Sequence, residues 1–373
     1  MDQSKIYFPN LNGLRFTAAF MVIIHHLEQL LSVFGFSNFW QNPIIKAIGG
    51  LGVELFFVLS GFLITYLLLE EENKTKTISI KDFYLRRILR IWPLYYTVGL
   101  LAFFILPFFH VFNVPVYSQQ LTENFSLSLL LYLFFLPNLL LFGYGIVVPY
   151  ASQSWSVGVE EQFYLIWPLL MKFFKNKLVL LFSVIIVYLF MLFFGFRIIQ
   201  KYFFWSHEMD LLQSFWPGFK IHCMAIGALF SYCLFYKNRV MTFFLLKTVY
   251  QITLVILTVS IFFSLDILIL NDVLFAIIIL NLASTETKGV FLENKIMNYL
   301  GKISYGLYMY HVIVIVITIK CFTYFGWHNH FLLLFSVTSI TIIFASISYY
   351  LIERKFILLK NRFSKVISGE NAK

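Results

Sequence analysis

Apolar runs of about 20 residues recur from one end of this 373-residue chain to the other. A helix of that length crosses the hydrocarbon core of a bilayer, which is about 30 Å thick. The runs lack the short alternating pattern of the strands in a transmembrane β-barrel. The pattern therefore predicts an all-α, polytopic membrane helical bundle, with eleven candidate segments at 11–34, 50–69, 91–109, 127–143, 159–171, 178–196, 217–236, 241–263, 266–284, 303–322 and 331–352.

Composition excludes the other broad classes of protein. Charged residues make up 12% of the chain and hydrophobic residues 60%, whereas an average soluble domain is about 25% charged. The 46 Phe and 22 Tyr residues also exclude a disordered chain. The net charge of +10 comes from short basic clusters between apolar runs. This arrangement is typical of cytoplasmic loops, and we predict no nucleic-acid partner.

The basic clusters predict how the segments are oriented. The densest cluster, at 74–90, follows the second run and places that part of the chain in the cytoplasm. If 127–143 is a re-entrant or interfacial segment, every later basic loop is also cytoplasmic, at 172–177, 237–239, 288–302 and 354–365. We therefore expect about ten transmembrane helices plus this one segment, in the plasma (inner) membrane, with both termini cytoplasmic; eleven spans are the alternative. A re-entrant segment must be shielded by protein, so we expect 144–158 to be a non-helical element that lines a cavity.

We divide the chain into a membrane-embedded domain at 1–355 and a basic cytoplasmic tail at 356–373. The cysteines lie in or beside apolar segments, at Cys223, Cys233 and Cys321. Their spacing fits neither a disulfide framework nor a metal site. We therefore interpret them as packing residues and predict no bound metal.

Ionisable side chains inside the predicted spans are the strongest functional candidates, because a charge at membrane depth is costly. Arg15 and His26 lie eleven residues apart in the first span. At 100° per residue they return to within about 20° of the same face and are roughly 16 Å apart along the helix axis. One stripe thus carries a cation near the cytoplasmic side and an imidazole deep in the bilayer. A hydrogen-bonded structural histidine is the alternative role for His26.

A catalytic imidazole needs a partner that sets its tautomer. Glu54 lies near the outer end of the second span, in the string Gly-Val-Glu-Leu-Phe-Phe-Val-Leu-Ser-Gly, which also contains Ser60. Glu28 and Glu160 are the other candidate partners of His26. The sequence does not choose among the three carboxylates.

The third span opens with three arginines, in the string Arg-Arg-Ile-Leu-Arg-Ile-Trp-Pro. Arg86 and Arg90 are four residues apart and face the same way on a helix, and Arg87 lies on the adjoining side. Three guanidiniums at a cytoplasmic helix start form a compact anion site, because Arg binds phosphate through paired hydrogen bonds. A cytoplasmic anchor for the span is the alternative role.

Two further strings place polar groups at membrane depth. Residues 154–164 read Ser-Trp-Ser-Val-Gly-Val-Glu-Glu-Gln-Phe-Tyr, and two carboxylates entering an apolar helix are hard to explain as surface residues. Residues 301–311 read Gly-Lys-Ile-Ser-Tyr-Gly-Leu-Tyr-Met-Tyr-His and bring a second imidazole into a span. Close helix contact is the alternative role for Ser-Tyr-Gly. The candidate site residues of the two strings are Trp155, Ser156, Glu160, Tyr164, Tyr305 and His311.

Taken together, these motifs resemble the acyltransferase 3 family of integral-membrane O-acyltransferases. The resemblance extends from Asn-Gly-Leu-Arg at 12–15 to Tyr-Leu-Ile-Glu-Arg at 350–354. It includes Phe-Phe-Val-Leu-Ser-Gly-Phe-Leu at 56–63, the arginine cluster, Trp-Ser-x-x-x-Glu-Glu-x-Phe-Tyr and Ser-Tyr-x-x-Tyr-x-x-His. Val157 stands where the family usually has Leu. Many relatives carry an SGNH esterase-like domain, and we expect this chain to be a stand-alone form without one.

The resemblance implies an enzyme that moves an acyl group, acetyl by the family's habit, from cytoplasmic acyl-CoA to a hydroxyl of a carbohydrate or glycolipid. It implies that Arg15 and His26 are catalytic residues, together with Glu160 of the Trp-Ser motif, and that the arginine cluster binds acyl-CoA. On this view acyl-CoA is a donor substrate, no cofactor is permanently bound, and the product is a modified cell-surface polysaccharide.

Two other classes of protein stay open on the sequence. A transporter or flippase of a lipid-linked or acylated sugar would also place His, Arg and Glu along a central path. Such proteins more often show matching halves or paired broken helices, and neither is visible here. A membrane scaffold protein would not need charges inside the membrane.

Overall fold

The computed structural model describes residues 5–203, 205–265, 267, 269–284 and 292–368. Lys288 of one predicted basic loop and residues 369–373 of the predicted tail lie outside the described residues. Within the described part the helices are α1 (Leu11–Val33), α2 (Pro43–Thr75), α3 (Ile80–Leu100), α4 (Tyr117–Glu123), α5 (Phe125–Leu133), α6 (Ser154–Phe173), α7 (Lys177–Phe190), α8 (Phe196–Tyr202), α9 (His207–Phe215), α10 (Ile221–Phe235), α11 (Arg239–Phe244), α12 (Lys247–Phe262), α13 (Leu270–Ser284), α14 (Lys295–Lys302), α15 (Ser304–Phe325), α16 (His330–Ser348) and α17 (Arg354–Lys360).

Short turns of π- or 3-10 helix extend or link these helices, at Leu101–Ile105, Leu106–Phe108, His110–Phe112, Leu139–Gly143, Met191–Gly195, Trp216–Phe219, Tyr349–Glu353 and Asn361–Phe363. Two residue pairs form short strands, β1 (Lys5–Ile6) and β2 (Ile367–Ser368). The architecture is otherwise helical, and it confirms the predicted polytopic helical bundle.

Local sequence explains where the long helices begin and end. Asn42 caps α2 by accepting a hydrogen bond from the backbone N–H of Ile44, and Pro43 occupies the first helical position, where its missing N–H costs nothing. Ser79 caps α3 in the same way. α15 ends at Gly326, whose φ of 66° is the left-handed conformation that glycine adopts readily.

Seven helical segments of the described chain are long and apolar enough to cross a membrane, at Leu11–Val33, Pro43–Thr75, Ile80–Phe108, Lys177–Tyr202, His207–Phe235, Ser304–Phe325 and His330–Phe363. The apolar helices α12 and α13 are shorter. α6 has 20 residues, enough for about 30 Å, but it carries Glu160 and Glu161. These ten segments coincide with the ten predicted spans, and the number that actually cross stays a prediction.

The two ends of the chain lie together. β1 and β2 pair in parallel, with Lys5 opposite Ile367 and Ile6 opposite Ser368. The start of α3 lies at the same end, because Arg86 donates a hydrogen bond of 2.7 Å to the backbone oxygen of Phe363. Termini at one end of a bundle require an even number of crossings between them.

The segment predicted to be re-entrant is broken and partly covered by protein. α5 has nine residues, or about 14 Å, and is too short to cross the bilayer. Its chain reverses at Phe135, which has a φ of 58°. Tyr95 and Tyr132 stack at 4.4 Å and each donates a hydrogen bond to the other's backbone oxygen. These contacts cover one side of the segment, as a membrane interior requires for irregular backbone, while Leu130, Leu133 and Phe134 are exposed.

The prediction that residues 144–158 are non-helical is wrong for residues 154–158, because α6 begins at Ser154. The serines looked like loop residues, yet their hydroxyls bond inside the bundle. Ser154 Oγ lies 3.4 Å from the Tyr132 hydroxyl and Ser156 Oγ lies 2.7 Å from the Tyr308 hydroxyl. A hydroxyl with a buried partner does not oppose helix formation.

Two glycines let α2 and α10 approach closely. A Cβ on Gly61 would overlap the backbone oxygen of Met224, and one on Gly227 would overlap that of Val58. We expect Gly61→Ala to destabilise the protein by about 1–3 kcal/mol, because the helices must separate to admit the methyl group. The measurement is the thermal unfolding midpoint of the purified protein in detergent.

Gly50→Ala is the matched control on the same helix, since a Cβ there meets nothing within 4 Å. We expect its unfolding midpoint to equal or slightly exceed that of the wild type, because alanine is the better helix former. Equal midpoints for the two variants would contradict tight packing at Gly61.

Candidate active site

An open cavity of about 190 Å³ lies among α1, α2, α3, α6, α15 and α17. One part of its wall is formed by residues 6–8, so the cavity reaches the end of the bundle where the termini pair. Its polar lining consists of Tyr7, Asn12, Arg15, Ser60, Arg87, Arg90, Ser156, Glu160, Tyr164, Ser304, Tyr305, Tyr308 and Lys360.

The cavity carries an excess of positive charge. Arg15, Arg87, Arg90 and Lys360 line it, and Glu160 is the one acidic side chain among the described lining residues. Cations that lie together in a site with little water bind anions more strongly than the same cations do at an exposed surface. This part of the cavity therefore suits a ligand with several negative charges.

The arginine side chains are held in place by aromatic and amide groups. The Arg87 guanidinium lies over the rings of Phe83 and Tyr164, at 5.6 and 5.5 Å from their centroids. Nε of Arg87 is buried and has no hydrogen-bond partner among the described residues. Arg15 donates a hydrogen bond of 3.1 Å to Asn12 Oδ1. The guanidiniums are thus fixed by contacts that leave their charges unneutralised.

The structure divides the predicted arginine cluster. Arg87 and Arg90 line the cavity, whereas Arg86 does not. Arg86 instead forms a 3.0 Å ion pair with the buried carboxylate of Glu71. Helical spacing predicted that Arg86 and Arg90, four residues apart, lie on one face. Arg87 and Arg90, three residues apart, can also share a face. The ion pair with Glu71 holds Arg86 away from the cavity, so that Arg87 and Arg90 line it.

Glu160 lies in a small cluster of hydroxyl groups. Ser60 and Tyr164 line the cavity beside it, and their hydroxyls are 2.5 Å apart. Both hydroxyls also interact with the Glu160 carboxylate. Three predicted site residues from α2 and α6 thus meet at one point of the cavity wall.

Tyr308 marks the inner part of the cavity. Its ring contacts Phe56 edge-to-face, with 5.7 Å between centroids, and both residues line the cavity. On its other side the Tyr308 ring lies 5.9 Å from the ring of His311. Tyr308 therefore connects the cavity with a pair of histidines that do not themselves line it.

The two histidines are hydrogen-bonded to each other. Nε2 of His311 lies 2.9 Å from Nδ1 of His26. Nδ1 of His311 lies 2.7 Å from the backbone oxygen of Tyr308. That oxygen can only accept, so Nδ1 of His311 carries a proton.

This arrangement assigns the remaining protons when both rings are neutral. Nε2 of His311 is then the acceptor, and Nδ1 of His26 is the donor. Nε2 of His26 keeps a free lone pair, which can accept a proton or attack a carbonyl carbon. His311 is fully buried, whereas His26 keeps part of its surface exposed.

The expectation that a carboxylate orients His26 is not met. Glu54 pairs with Lys220 at 2.5 Å. Glu28 pairs with His330 at 2.9 Å and accepts a hydrogen bond from the N–H of Phe39. Glu160, the third candidate, interacts with Tyr164 and Ser60. His26 is instead hydrogen-bonded to His311, whose other nitrogen contacts the backbone oxygen of Tyr308.

The remaining predicted residues lie near the site. Tyr305 lines the cavity and donates a 3.0 Å hydrogen bond to the backbone oxygen of Ile91. Trp155 does not line it; its ring packs edge-to-face against Phe57 and Phe142. Trp155 therefore supports the cavity wall.

Three features of the structure were not predicted. Tyr308 belongs to the Ser-Tyr-x-x-Tyr-x-x-His string, so its spacing was visible, but its place between the cavity and His311 was not. Lys360 lies in the region predicted to be the tail, where the sequence shows no motif. Outside the cavity, the potential metal ligands His222, Cys223 and Asp272 lie within 4.8 Å of one another.

Comparison with known proteins places the chain in a family. A family model described as an acyltransferase domain matches residues 8–351. The chain belongs to the acyltransferase 3 family. This confirms the family resemblance, and the match extends over almost all of the membrane-embedded part of this acyltransferase 3 protein.

Curated relatives match half of this acyltransferase 3 chain or slightly less. Peptidoglycan O-acetyltransferase OatA of Listeria monocytogenes is 34% identical over 187 residues, which are 48% of this chain and 27% of the relative. The putative peptidoglycan O-acetyltransferase YrhL of Bacillus subtilis is 33% identical over 175 residues, 45% of this chain and 24% of the relative.

O-acetyltransferase OatA of Staphylococcus aureus is 32% identical over 178 residues, 47% of this chain and 26% of the relative. The chain thus aligns with about a quarter of the length of each of these proteins. No solved structure matches it significantly.

Proposed function

We propose that this protein is a membrane O-acyltransferase that moves an acetyl group from acyl-CoA to a hydroxyl of a cell-envelope glycan. The observation that carries the proposal is a cation-lined cavity that reaches Tyr308, directly beside the hydrogen-bonded pair His26 and His311. A binding site for a polyanionic donor and a basic imidazole are the two parts that such a reaction needs.

The donor part of the proposal rests on charge and shape. The phosphates of CoA would bind Arg87, Arg90 and Lys360, and the pantetheine arm would extend along the apolar wall that includes Phe56. Arg15 lies in the same cavity, on the helix that carries His26. The thioester must pass Tyr308 and Phe56 to meet the His26 imidazole.

The acid–base part follows from the assigned tautomer. In the general-base route, Nε2 of His26 takes the proton of the acceptor hydroxyl as its oxygen attacks the thioester carbon. The C–S bond then breaks, and the proton passes from His26 to the departing CoA sulfur. An acyl-imidazole on His26 is the two-step alternative. Ser156, which lies in the cavity lining and is hydrogen-bonded to Tyr308, would donate to the oxyanion.

The acceptor is proposed from the relatives. Two of the three relatives named above are called peptidoglycan O-acetyltransferases and the third an O-acetyltransferase. We therefore propose a cell-wall glycan as the acceptor and acetyl as the group moved. We also propose that the end of the bundle that holds the termini faces the cytoplasm, because basic clusters are typical of cytoplasmic loops, and that the membrane is the plasma membrane.

His311 is a positioning residue in this proposal, and its replacement tests the tautomer. We expect His311→Leu to lower kcat by about 10–100-fold with little change in KM for acyl-CoA, because His26 loses the acceptor that keeps Nε2 unprotonated. His311→Gln should retain much more activity, since its amide can donate to the Tyr308 oxygen and accept from His26. Equal losses in both variants, together with equal losses of thermal stability, would indicate a packing role only.

The proposed function is tested by following the thioester. Purified protein in nanodiscs is given acetyl-CoA with or without soluble peptidoglycan fragments; free CoA is measured with a thiol reagent and the fragments by mass spectrometry. We expect CoA release that depends on the acceptor and an acetylated product. Movement of a labelled lipid-linked sugar across vesicles without CoA release would contradict the proposal and favour a flippase.

A further inference from the structure

A second polar cluster lies outside the cavity, where α10 packs against α13. His222 and Cys223 are adjacent in the first turn of α10, and Asp272 lies in the first turn of α13. Their side chains are almost fully enclosed, with residue exposures of 4%, 0% and 2%. None of the three lines the cavity, and none has a part in the proposed acyl transfer.

Two of the distances within the cluster match those of a tetrahedral metal site. Nε2 of His222 lies 3.3 Å from Oδ2 of Asp272 and 3.5 Å from Sγ of Cys223. Tetrahedral Zn²⁺, with about 2.3 Å to sulfur and about 2.0–2.1 Å to nitrogen or oxygen, separates sulfur from nitrogen by about 3.5 Å and nitrogen from oxygen by about 3.3 Å. Nε2 of His222 thus has the spacing to both other ligand atoms that a shared metal ion would impose, and all three ligand atoms lie within 4.8 Å of one another.

Protein groups in the part of the chain that the structure describes satisfy the Asp272 carboxylate only in part, because Oδ2 pairs with Nε2 of His222 while the other oxygen is left over. Oδ1 of Asp272 has no hydrogen-bond partner among the described residues. Lys220 is close enough to interact with Asp272, but its ammonium forms a 2.5 Å pair with Glu54. A buried carboxylate with one oxygen unpaired is costly. A divalent metal held by this carboxylate, a thiolate and a neutral imidazole would make the whole complex neutral.

The imidazole is held in the orientation that such a site requires. The ring of Tyr188 stacks on the ring of His222, with 4.1 Å between centroids and 21° between planes. Nδ1 of His222 has no partner within the described part of the chain, and Nε2 is the nitrogen that faces Cys223 and Asp272. A metal-bound histidine is normally oriented through a hydrogen bond of its second nitrogen; here the stacked ring of Tyr188 holds the imidazole instead.

We propose that His222, Cys223 and Asp272 bind a divalent transition metal ion, with Zn²⁺ as the best fit. One thiolate, one imidazole and one carboxylate are the ligand types of zinc, whereas Mg²⁺ and Ca²⁺ take oxygen ligands. Three protein ligands leave the fourth position to a ligand from outside the chain. The metal would join α10 to α13 beside the Lys220–Glu54 pair, which joins α10 to α2.

The sequence alone does not reveal the proposed metal site, because its ligands lie on two different helices. His222 and Cys223 are adjacent rather than two to four residues apart, and Asp272 is 50 positions further along the chain. No zinc-finger spacing is present, and the distances arise only when α10 and α13 pack.

The test is the metal content of the full chain, purified in detergent without a histidine tag from cells grown with added zinc. After passage over a chelating resin, elemental analysis should find about one zinc per chain. Cys223→Ser should hold at least about tenfold less zinc, because the thiolate is the strongest ligand. Cys233→Ser is the matched control: it changes a half-buried free cysteine on the same helix and should keep the wild-type content.

X-ray absorption at the zinc edge gives a second measurement that does not depend on a variant folding. The wild-type spectrum should show one sulfur at about 2.3 Å with nitrogen and oxygen ligands at about 2.0–2.1 Å. Asp272→Asn, checked for a single size-exclusion peak, should weaken zinc retention while keeping the sulfur signal of any bound metal.

Three outcomes would overturn the proposal: metal well below one per chain in wild type after incubation with Zn²⁺, equal zinc in Cys223→Ser and wild type, or a zinc spectrum without sulfur. None of these readouts uses acyl transfer. A failure of the metal site is therefore distinguishable from a failure of the proposed function.

Discussion

Replacing His26 with Ala abolishes acyl transfer while the protein still folds in the membrane. Nε2 of His26 is the free nitrogen of the pair, because His311 is held by the Tyr308 carbonyl and serves only as the acceptor for Nδ1. A positioned general acid–base contributes about 10²–10⁴-fold, so we expect kcat/KM to fall by at least about 100-fold. The measurement is acceptor-dependent release of CoA by purified protein at a fixed concentration of acetyl-CoA.

His110→Ala is the matched control for this substitution. His110 is exposed in the segment that follows α3, and its loss should leave turnover at the wild-type level. Affinity for acyl-CoA, measured by calorimetry, should stay unchanged in His26→Ala because the cavity cations are intact. Wild-type turnover in a well-folded His26→Ala protein would refute the role assigned to this imidazole.

Replacing Arg87 and Arg90 together with Gln raises KM for acyl-CoA by about 100-fold or more. Each hydrogen bond to a charged group is worth about 1.5–3 kcal/mol, and about 1.4 kcal/mol corresponds to tenfold in affinity. The effect should exceed that of surface charges, because both guanidiniums line the cavity and Arg87 Nε has no partner in the described residues. The measurement is the dependence of CoA release on acyl-CoA concentration, with kcat changing much less than KM.

The variant Arg86→Gln distinguishes a role of this arginine in substrate binding from a role in the stability of the fold. Arg86 is paired with Glu71, whose exposure is 2%, and removing one partner of a buried pair leaves an uncompensated charge. We expect this variant to lose thermal stability while its KM stays within a few-fold of wild type. An increase in KM as large as that of the double variant would show that the three arginines act as one cluster, against the division seen in the structure.

Most of the fold was predictable because span length and bilayer thickness are tightly linked. Ten of the eleven apolar segments are helices of substantial length, and the eleventh, at 127–143, is a short helix followed by a reversal at Phe135. The positive-inside pattern, rather than hydropathy, distinguished that segment. The prediction for 154–158 was wrong because a serine-rich string is typical of a loop. The hydroxyls of Ser154 and Ser156 instead bond to tyrosines of other helices, which the local sequence does not show.

Most residues of the candidate site were predicted from the sequence, whereas most of the contacts among them were not. Residues that line the cavity include the predicted Arg15, Ser60, Arg87, Arg90, Ser156, Glu160, Tyr164 and Tyr305. Each is a polar group in an apolar segment of the sequence. Burying such a side chain in a membrane costs free energy, so its presence indicates a function. Lys360 carried no such sign, since a lysine after the last apolar run is ordinary.

The sequence by itself determined that this chain is a membrane helical bundle with a polar interior, because hydropathy and charge act on each segment separately. Tertiary structure alone decided that His311 is hydrogen-bonded to His26 across 285 residues of chain, and that Arg87 rather than Arg86 lines the cavity. It also decided that Cys223 meets Asp272. Helical periodicity relates residues a few positions apart, whereas these pairings depend on which helices become neighbours.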